Sequence, residues 1–243
     1  PTGARGAWFG QAPPGSTPQV FAPGIVSSFG HLEFGLTFTP DGKECYFTRR
    51  KDGGRNVVMV SRLEEAGWSA PEETSFSKGF SSNEPHVTPD GRKLYFGSRR
   101  PAPGSKDADG IWVVDRKGAG WSEPRYHGPG MYASVAGNGN LYLTDVTGVA
   151  GGGAIVYPWT GGSYGSPRQL GGSVNRPVPV DHAFIAPDES YLLFDATDRP
   201  GSQGGEGDLW VSFRTADGSW SESQNLGDAI NTPGLNFCPS VSP

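Results

Sequence analysis

The fold is decided by a stretch that reads FTPDGKECYF over residues 38–47. It returns as VTPDGRKLYF at residues 87–96, 49 positions further along the chain. A degenerate third copy, VAGNGNLYL, covers residues 135–143, and a fourth, IAPDESYLLF, covers residues 185–194. The letters VSP at residues 241–243 open a fifth copy. A regular period of about 50 residues indicates a propeller or a solenoid.

Each copy contains the signals for four short strands. A turn built around Pro, Asp and Gly joins two β-rich runs, and such a short connection makes a hairpin. A third β-rich run follows, and then an aromatic residue, at Trp68, Trp121, Tyr164 or Trp220. Proline stands three residues after the first three of these aromatics, which suits the outermost strand of a sheet. Four antiparallel strands per repeat predict one propeller blade.

The copies resemble the TolB-type WD40-like β-propeller repeat, through the patterns PDGxxxYF and GWSxP over essentially the whole chain. The resemblance implies an all-β propeller made of four-stranded antiparallel blades. The third copy departs from the pattern because residues 137–139 read GNG in place of PDG, but GNG also suits a turn. Propellers of this kind include binding platforms, enzymes and gating domains, so the resemblance alone does not select an activity.

We expect one domain over residues 1–243, most simply with five blades, although a sixth fits if more sequence exists. The first four blades are expected at residues 31–79, 80–128, 129–175 and 176–230. The fifth would combine residues 231–243 with residues 1–30, in which Ala7–Gly10 and Thr17–Pro23 supply its outer strands. Such closure by N-terminal strands leaves no unpaired sheet edge. The hairpin partner expected after Pro243 is not in the sequence, which suggests a fragment or a longer natural chain.

Composition narrows the classes of partner. The 38 glycines and 22 prolines fall mainly at turns, as in an all-β protein. A net charge of −5 argues against a nucleic-acid partner, because that binding needs a basic surface. The chain has neither an apolar run long enough for a membrane span nor a visible signal peptide. The resemblance nonetheless implies a periplasmic or secreted protein.

The two cysteines, Cys45 and Cys238, are too few for a disulfide framework. They stand in the first blade and in the blade that should close against it. Two alternatives remain open: a single bridge, which requires the two Cα atoms to lie within about 7 Å of each other, or two separate buried thiols.

All four histidines stand at or just before the start of an innermost strand, and acidic residues accompany them. Counting back from the turn prolines, Glu84 and His182 occupy equivalent positions, along with Gly35 and Cys238. Imidazole and carboxylate groups that converge on one channel mouth suit a divalent cation or an acid/base pair. The predicted metal ligands are Glu84, His86, Asp181 and His182, with His31 and His127 at the rim. The plainer interpretation is that these side chains simply face channel water.

Other residues are candidates for ligand contact. Tyr132 and Trp159 fall outside the aromatic positions that recur in every blade. The two longest loops between second and third strands, at residues 100–109 and 199–208, both begin with Arg-Pro and would wall the mouth. The predicted ligand-binding residues are Glu33, Tyr132, Trp159, Arg99 and Arg199.

The leading functional hypothesis is a non-enzymatic binding or scaffold propeller that presents this mouth to a small polar ligand, a glycan or a protein. The second is a metal-dependent lyase or hydrolase that uses the His/Glu/Asp cluster. The third is a gating propeller of a larger serine peptidase, and it ranks last because the sequence contains no catalytic domain. No cofactor is predicted with certainty, and a divalent metal ion is the candidate.

Overall fold

The computed structural model describes residues 4–13, 15–102, 110–178, 180–203 and 206–242. The chain is all-β, with two short 3₁₀ segments at Ala7–Gly10 and Ser75–Ser77. Its strands form four antiparallel sheets, one for each full sequence repeat, and this is the β-propeller architecture that the repeat predicts. No helix among the described residues is long and apolar enough to cross a membrane.

The chain divides into two compact units, the first formed by the described residues up to Gly128 with residues 241–242, the second by those of Pro129–Ser240. The first unit contains two blades. Blade 1 consists of β1 (Leu32–Phe38), β2 (Glu44–Arg50), β3 (Asn56–Glu64), β4 (Gly67–Trp68) and β5 (Glu72–Glu73). Blade 2 consists of β6 (Ser82–Val87), β7 (Lys93–Ser98), β8 (Gly110–Lys117), β9 (Gly120–Trp121) and β10 (Arg125–Gly128).

The second unit contains the other two blades. Blade 3 consists of β11 (Met131–Val135), β12 (Leu141–Asp145), β13 (Gly153–Tyr157) and β14 (Arg168–Gln169). Blade 4 consists of β15 (Asp181–Ile185), β16 (Tyr191–Ala196), β17 (Asp208–Phe213) and β18 (Gln224–Asn225).

Each blade is a meander in which consecutive strands pair. In blades 1 and 2 the outer edge is broken into two short strands, which both pair with the third strand. The recurring aromatics Trp68 and Trp121 lie in the first of these two short strands. Trp68, and Trp220 ahead of β18 in blade 4, are buried, as expected of packing anchors.

Successive blades within a unit pack face to face. Tyr46 and Val58 of blade 1 join Leu94 and Phe96 of blade 2 in one buried cluster. In the second unit, Tyr142 and other residues of blade 3 form a corresponding cluster with blade 4. Aliphatic and aromatic side chains on the faces of flat sheets therefore form the core, which explains why the sequence can be rich in glycine and still fold.

The prediction of five blades is wrong, since the described residues form four. Residues 231–242 form no strand. Leu235 among them forms an isolated parallel β-bridge with Gly207. Neither cysteine forms a disulfide and both are buried, which is the second of the two alternatives for them.

The N-terminal segment packs on blade 1 instead of supplying strands for a fifth blade. Ala7–Gly10 is a 3₁₀ segment, and no named strand forms between Thr17 and Pro23. Phe9 is buried and stacks on Trp68 with ring centroids 4.1 Å apart, while Trp68 Nε1 donates to the carbonyl oxygen of Gly6 over 2.8 Å. Burial of these aromatics against blade 1 outweighs edge pairing for this segment.

Candidate functional site

A backbone irregularity marks the same place in every innermost strand. In β1, β6, β11 and β15 the register with the second strand shifts at a β-bulge. The residue at the bulge stands five positions before the turn residue that is proline in most copies, and its φ lies between 44° and 58°. The fifth copy keeps this conformation although it forms no strand. The five residues are Gly35, Glu84, Tyr132, His182 and Cys238.

This conformation is costly for four of the five residues. A left-handed backbone costs a residue other than glycine about 1–3 kcal/mol, and such residues cluster at functional sites. Gly35 fits the local sterics, because a Cβ there would lie 3.0 Å from the Cα of Glu84. The other four positions carry a carboxylate, a phenol, an imidazole and a thiol. These groups can form hydrogen bonds, exchange protons or bind metal ions, and they stand where glycine would be less strained.

Side chains of the preceding repeat hold two of these bulges. Thr48 Oγ1 of blade 1 accepts a hydrogen bond of 2.7 Å from the amide of Glu84. At the equivalent place on β16, Asp195 Oδ1 accepts one of 3.2 Å from the amide of Cys238. The equivalence follows from the register, because Thr48 pairs with Phe34 and Asp195 pairs with Asp181, each one residue before a bulge position. The strained backbone is therefore fixed by the fold.

The second unit gathers an imidazole–carboxylate pair at this place. His182 Nδ1 lies 2.9 Å and 3.1 Å from the two carboxylate oxygens of Asp195. Only 14 % of the His182 side chain and 9 % of the Asp195 side chain are exposed. Because a carboxylate only accepts hydrogen bonds, this contact assigns a proton to Nδ1, and in the neutral form of the ring the lone pair is then on Nε2. Asp195 thereby sets both the tautomer and the orientation of the imidazole.

Three further side chains surround the ring of His182. A ring nitrogen of His182 lies within 4.8 Å of Cys238 Sγ. Tyr132 and Phe237 approach the ring edge to face, with centroids 5.2 Å and 5.6 Å away. The hydroxyl of Tyr132 donates to the carbonyl oxygen of Pro239 over 2.5 Å, which ties the fifth copy to β11. We name Tyr132, His182, Asp195 and Cys238 the blade 4 cluster.

The blade 4 cluster has defined chemical capacities. A neutral imidazole held by a carboxylate can accept a proton, accept a hydrogen bond or ligate a metal ion through Nε2. The thiol of Cys238 adds a second, softer donor atom. The aromatic rings exclude water from one side of the imidazole, which strengthens polar contacts made by the other side.

The structure separates Trp159 from Tyr132, although both were predicted to contact a ligand. At one end of blade 3, Met131 pairs with Thr144, and Thr144 pairs with Ala154. Trp159 follows the opposite end of β13, where its exposed ring packs beside Gly139 in the β11–β12 turn.

Arg199 is a buried structural side chain. Its guanidinium donates to the carbonyl oxygens of Ser173, over 3.1 Å, and of Val174, and it lies 4.9 Å above the ring of Phe194. Burial lowers its pKa to about 10. These bonds, which Nη2 donates, fasten the segment between blades 3 and 4.

The same arrangement recurs in the first unit. Arg100 of blade 2 is buried, bonds the carbonyl oxygen of Phe76 and lies over Phe96. Arg49 of blade 1 bonds the carbonyl oxygens of Ile25 and Val26 at 2.9 Å and 3.1 Å. In each case an arginine at or just beyond the second strand binds backbone oxygens of the segment that precedes its own blade.

Glu33 belongs to the blade 1 version of this arrangement. Its carboxylate accepts 2.8 Å from Arg49 Nε and 2.5 Å from the hydroxyl of Ser28. The side chain is 10 % exposed and its oxygens serve this network. Glu33 therefore positions the segment before blade 1.

The other predicted residues of the first unit are spread over blades 1 and 2. Glu84, which is buried, and His86 lie on β6, and Arg99 follows β7 with an exposed side chain. His31 is exposed before β1. His127 lies on β10 against Tyr95, with ring centroids 5.7 Å apart, and burial lowers its pKa to about 4.

In the second unit Asp181 is exposed at the start of β15. Most of the loop predicted at residues 100–109 lies outside the described residues.

Sequence reasoning missed Asp195 and Cys238 as members of a site. A signal for Cys238 was present, because it stands five residues before Pro243 and so aligns with His182. Asp195 directly follows the YLLF run of the fourth copy, where the first and third copies have Thr48 and Thr144. The replacement of this threonine by a carboxylate at position 195 was the signal in the sequence that could have identified Asp195 as a site residue.

A scan against models of protein families finds no match, and a comparison with curated protein sequences also finds none. Solved structures do match. A structure described as TolB from Agrobacterium tumefaciens is 18% identical, with a TM-score of 0.53 over 84% of this chain and 65% of that one. TolB from Acinetobacter baumannii is 16% identical, with a TM-score of 0.54 over 77% and 42%. A puromycin-hydrolysing peptidase from Mycobacterium tuberculosis is 15% identical, with a TM-score of 0.52 over 86% and 31%.

The chain spans less than two thirds of the length of each of these three proteins. At sequence identities of 15–18% these matches show a shared fold and do not by themselves indicate a shared function. The same architecture occurs in proteins described as TolB and in a peptidase, so function has to be argued from the residues of the site.

Proposed function

We propose that this chain, which has the fold of TolB-like β-propellers, is a non-enzymatic binding module. Its ligand is a small polar molecule, with a glycan fragment or a protein segment as the alternatives. The observation behind the proposal is the repeated left-handed backbone position, which carries a carboxylate, a phenol or an imidazole on three innermost strands and a thiol at the equivalent position of the fifth copy. Strain that is kept in place by the surrounding fold is typical of binding and catalytic sites.

In the second unit, the proposed contact residues are Tyr132 and His182. The Nε2 atom of His182 accepts a hydrogen bond from a hydroxyl or amide of the ligand, because Asp195 holds Nδ1. The Tyr132 ring is buried and packs edge to face against the imidazole, so its contact with the ligand is limited to the small part of the ring that remains exposed beside His182. Asp181, at the exposed start of β15, provides a carboxylate for the hydroxyl groups of such a ligand.

The remaining predicted ligand residues have smaller parts in this proposal. Arg199 and Glu33 are engaged in internal networks, and Trp159 stands at the other end of blade 3. Arg99 is exposed after β7 and keeps its predicted role as a peripheral contact. That Glu84 and His86 of blade 2 join Asp181 and His182 in one site stays a prediction.

Histidine-resolved NMR tests this proposal sharply, because the chain has only four histidines. Protein labelled with ¹⁵N-histidine is titrated with a panel of sugar acids, neutral oligosaccharides and short peptides, and His182→Ala assigns its signal. We expect one ligand class to shift the imidazole signal of His182 while that of the exposed His31 stays in place. A panel in which His31 responds to every ligand and His182 to none would contradict the proposal.

The second candidate function is a metal-dependent lyase or hydrolase, and the Asp195–His182 pair favours it. A carboxylate that orients an imidazole is the usual support of both a general base and a metal-ligating histidine. Turnover of an oligosaccharide or ester substrate that is abolished in both His182→Ala and Asp195→Asn would establish this function. Binding without turnover would leave the module non-enzymatic.

Export of the chain, as a periplasmic or secreted protein, stays part of the proposal, supported by its likeness to TolB in fold. The net charge of −5 continues to argue against a nucleic-acid partner. The peptidase with the same fold is matched over 31% of its length, and a gating role stays the third hypothesis.

A further inference from the structure

We propose that His182 and Cys238 together bind a thiophilic divalent cation of the zinc class, and that Asp195 is the positioning residue for both. This inference rests on the proposed function and changes one contact in it: the blade 4 cluster is a metal centre, and the polar ligand docks on the bound ion instead of donating a hydrogen bond to Nε2 of His182. The sequence predicted a metal with oxygen and imidazole ligands, whereas the second unit supplies sulfur and imidazole.

The first argument is distance. A ring nitrogen of His182 and the sulfur of Cys238 lie within 4.8 Å of each other. With Zn–S and Zn–N bonds of about 2.3 Å and 2.0–2.1 Å, a tetrahedral ion places its sulfur and nitrogen ligands about 3.5 Å apart. The donors are therefore at most little more than an ångström further apart than a bound ion requires.

The second argument is the shared support from Asp195. One carboxylate accepts from His182 Nδ1 at 2.9 Å and from the backbone amide of Cys238 at 3.2 Å. The bond to Nδ1 leaves Nε2 as the ligating atom, the arrangement by which carboxylates orient metal-bound histidines. The bond to the amide fixes the residue that carries the thiol. A single side chain therefore orders both donor atoms before the ion arrives.

The third argument is the backbone at the two donors. His182 and Cys238 have φ values of 44° and 54° at equivalent places in consecutive copies. The Tyr132 hydroxyl also holds the carbonyl oxygen of Pro239, the residue that follows Cys238. Side chains on β16 and β11 thus hold the His182 ring and the backbone at and next to Cys238. Strained backbone of this kind persists where a function depends on its geometry.

The chemistry of the donors selects the metal. Thiolate with imidazole suits zinc and other late first-row ions, while calcium and magnesium prefer oxygen ligands. Binding replaces the thiol proton of Cys238 with the metal, so one proton leaves for each ion bound and affinity rises with pH. Coordination positions not filled by the protein accept water or an oxygen of the polar ligand.

Metal titration of the chelator-treated full chain tests the proposal. Cobalt(II) is added first, because a thiolate–cobalt bond gives a charge-transfer band in the near ultraviolet, and zinc affinity is then measured by calorimetry. We expect one ion per chain and the charge-transfer band. Cys238→Ser should lose the band, and both this variant and His182→Ala should lose at least about 100-fold in zinc affinity.

Asp195→Asn separates a positioning role from a ligating one. We expect the cobalt band and the stoichiometry to remain while zinc affinity falls by about 10–100-fold. Cys45→Ser and His31→Ala are the matched controls and should bind as the parent does, because Cys45 lies on β2 and His31 is exposed before β1. Glu84→Gln in the same titration tests the sequence-based prediction that Glu84 supplies a ligand.

Zinc affinity in Cys238→Ser equal to that of the parent, or the absence of stoichiometric metal, would overturn the proposal. Circular dichroism of each variant shows whether a lost affinity reflects a lost fold. The ligand panel is also run on metal-free protein. A His182 shift there without any zinc binding would retain the binding function and reject the metal centre.

Discussion

The backbone of His182 has a φ of 44°, a conformation that favours glycine, and yet the chain places an imidazole there. The same choice recurs with Tyr132 and Cys238, while Gly35 shows the residue that sterics alone would select. Sequence alignment of the repeats brings these positions into register, but it reveals neither the strain nor the partner at Asp195. Both depend on the register between paired strands, which an alignment of the repeats does not show.

Arg199 illustrates the opposite case, a residue predicted to bind ligand that the structure uses internally. Replacement of Arg199 by Ala removes hydrogen bonds to the carbonyl oxygens of Ser173 and Val174 and leaves buried acceptors without a donor. We expect the free energy of unfolding to fall by about 2–4 kcal/mol, measured by urea denaturation. Arg99→Ala, at an exposed side chain, should change it by less than about 0.5 kcal/mol. Equal effects of the two substitutions would refute the structural role.

His127 should make stability depend on pH. Its folded pKa is about 4, against an ordinary value of 6.5, because burial disfavours the charged ring. As pH falls from about 6.5 to about 4, the unfolded chain binds a proton that the folded chain does not, so stability decreases over this window and recovers as pH rises. The loss attributable to His127 reaches about 2–3 kcal/mol.

Urea denaturation at pH 7.5 and pH 4.5 checks this effect of His127. His127→Gln should flatten the pH dependence between these values, since glutamine does not titrate, whereas His31→Gln should leave it as in the parent. A parent-like slope in His127→Gln would show that His127 is not held neutral.

The turn, hairpin and third strand of each blade follow directly from the sequence, because they are built from local signals. Pro40, Asp41 and Gly42 form the turn between β1 and β2, and Asp41 accepts from Thr39 and from the amide of Lys43. The outer edges were harder to predict, because their short strands depend on neighbours rather than on propensity. The segment at residues 231–242 has the sequence pattern of an inner strand and forms no strand.

The N-terminal segment gives a test of this difference between pattern and packing. Phe9→Ala should lower the free energy of unfolding by about 3–4 kcal/mol, because the ring is buried against Trp68 in the core of blade 1. Val20→Ala, at a side chain 67% exposed, is the matched control and should have little effect. Chemical denaturation monitored by tryptophan fluorescence measures both. A negligible cost for Phe9→Ala would favour the alternative in which this segment belongs to another blade.

Across the chain as a whole, the period of the repeat was sufficient to predict an all-β propeller, and TolB structures share that fold. Blade number was not predictable in the same way. It depends on which segments pair as strands. Here the N-terminal segment packs on blade 1, and Leu235 near the C-terminus bridges to Gly207 of blade 4. The candidate site was predictable as a region, through His182, but its composition was not. Asp195 and Cys238 reach His182 from the second strand of the same blade and from the next repeat.

The central claim is that Asp195 presents the Nε2 atom of His182 for binding. A two-bond ¹H–¹⁵N spectrum of histidine-labelled protein at pH 7.5 measures this directly, because it distinguishes the two ring tautomers. The account predicts that His182 is neutral with the proton on Nδ1, and that Asp195→Asn disturbs this pattern while His31 is unaffected. A His182 ring protonated on Nε2, with a spectrum unchanged in Asp195→Asn, would contradict the account.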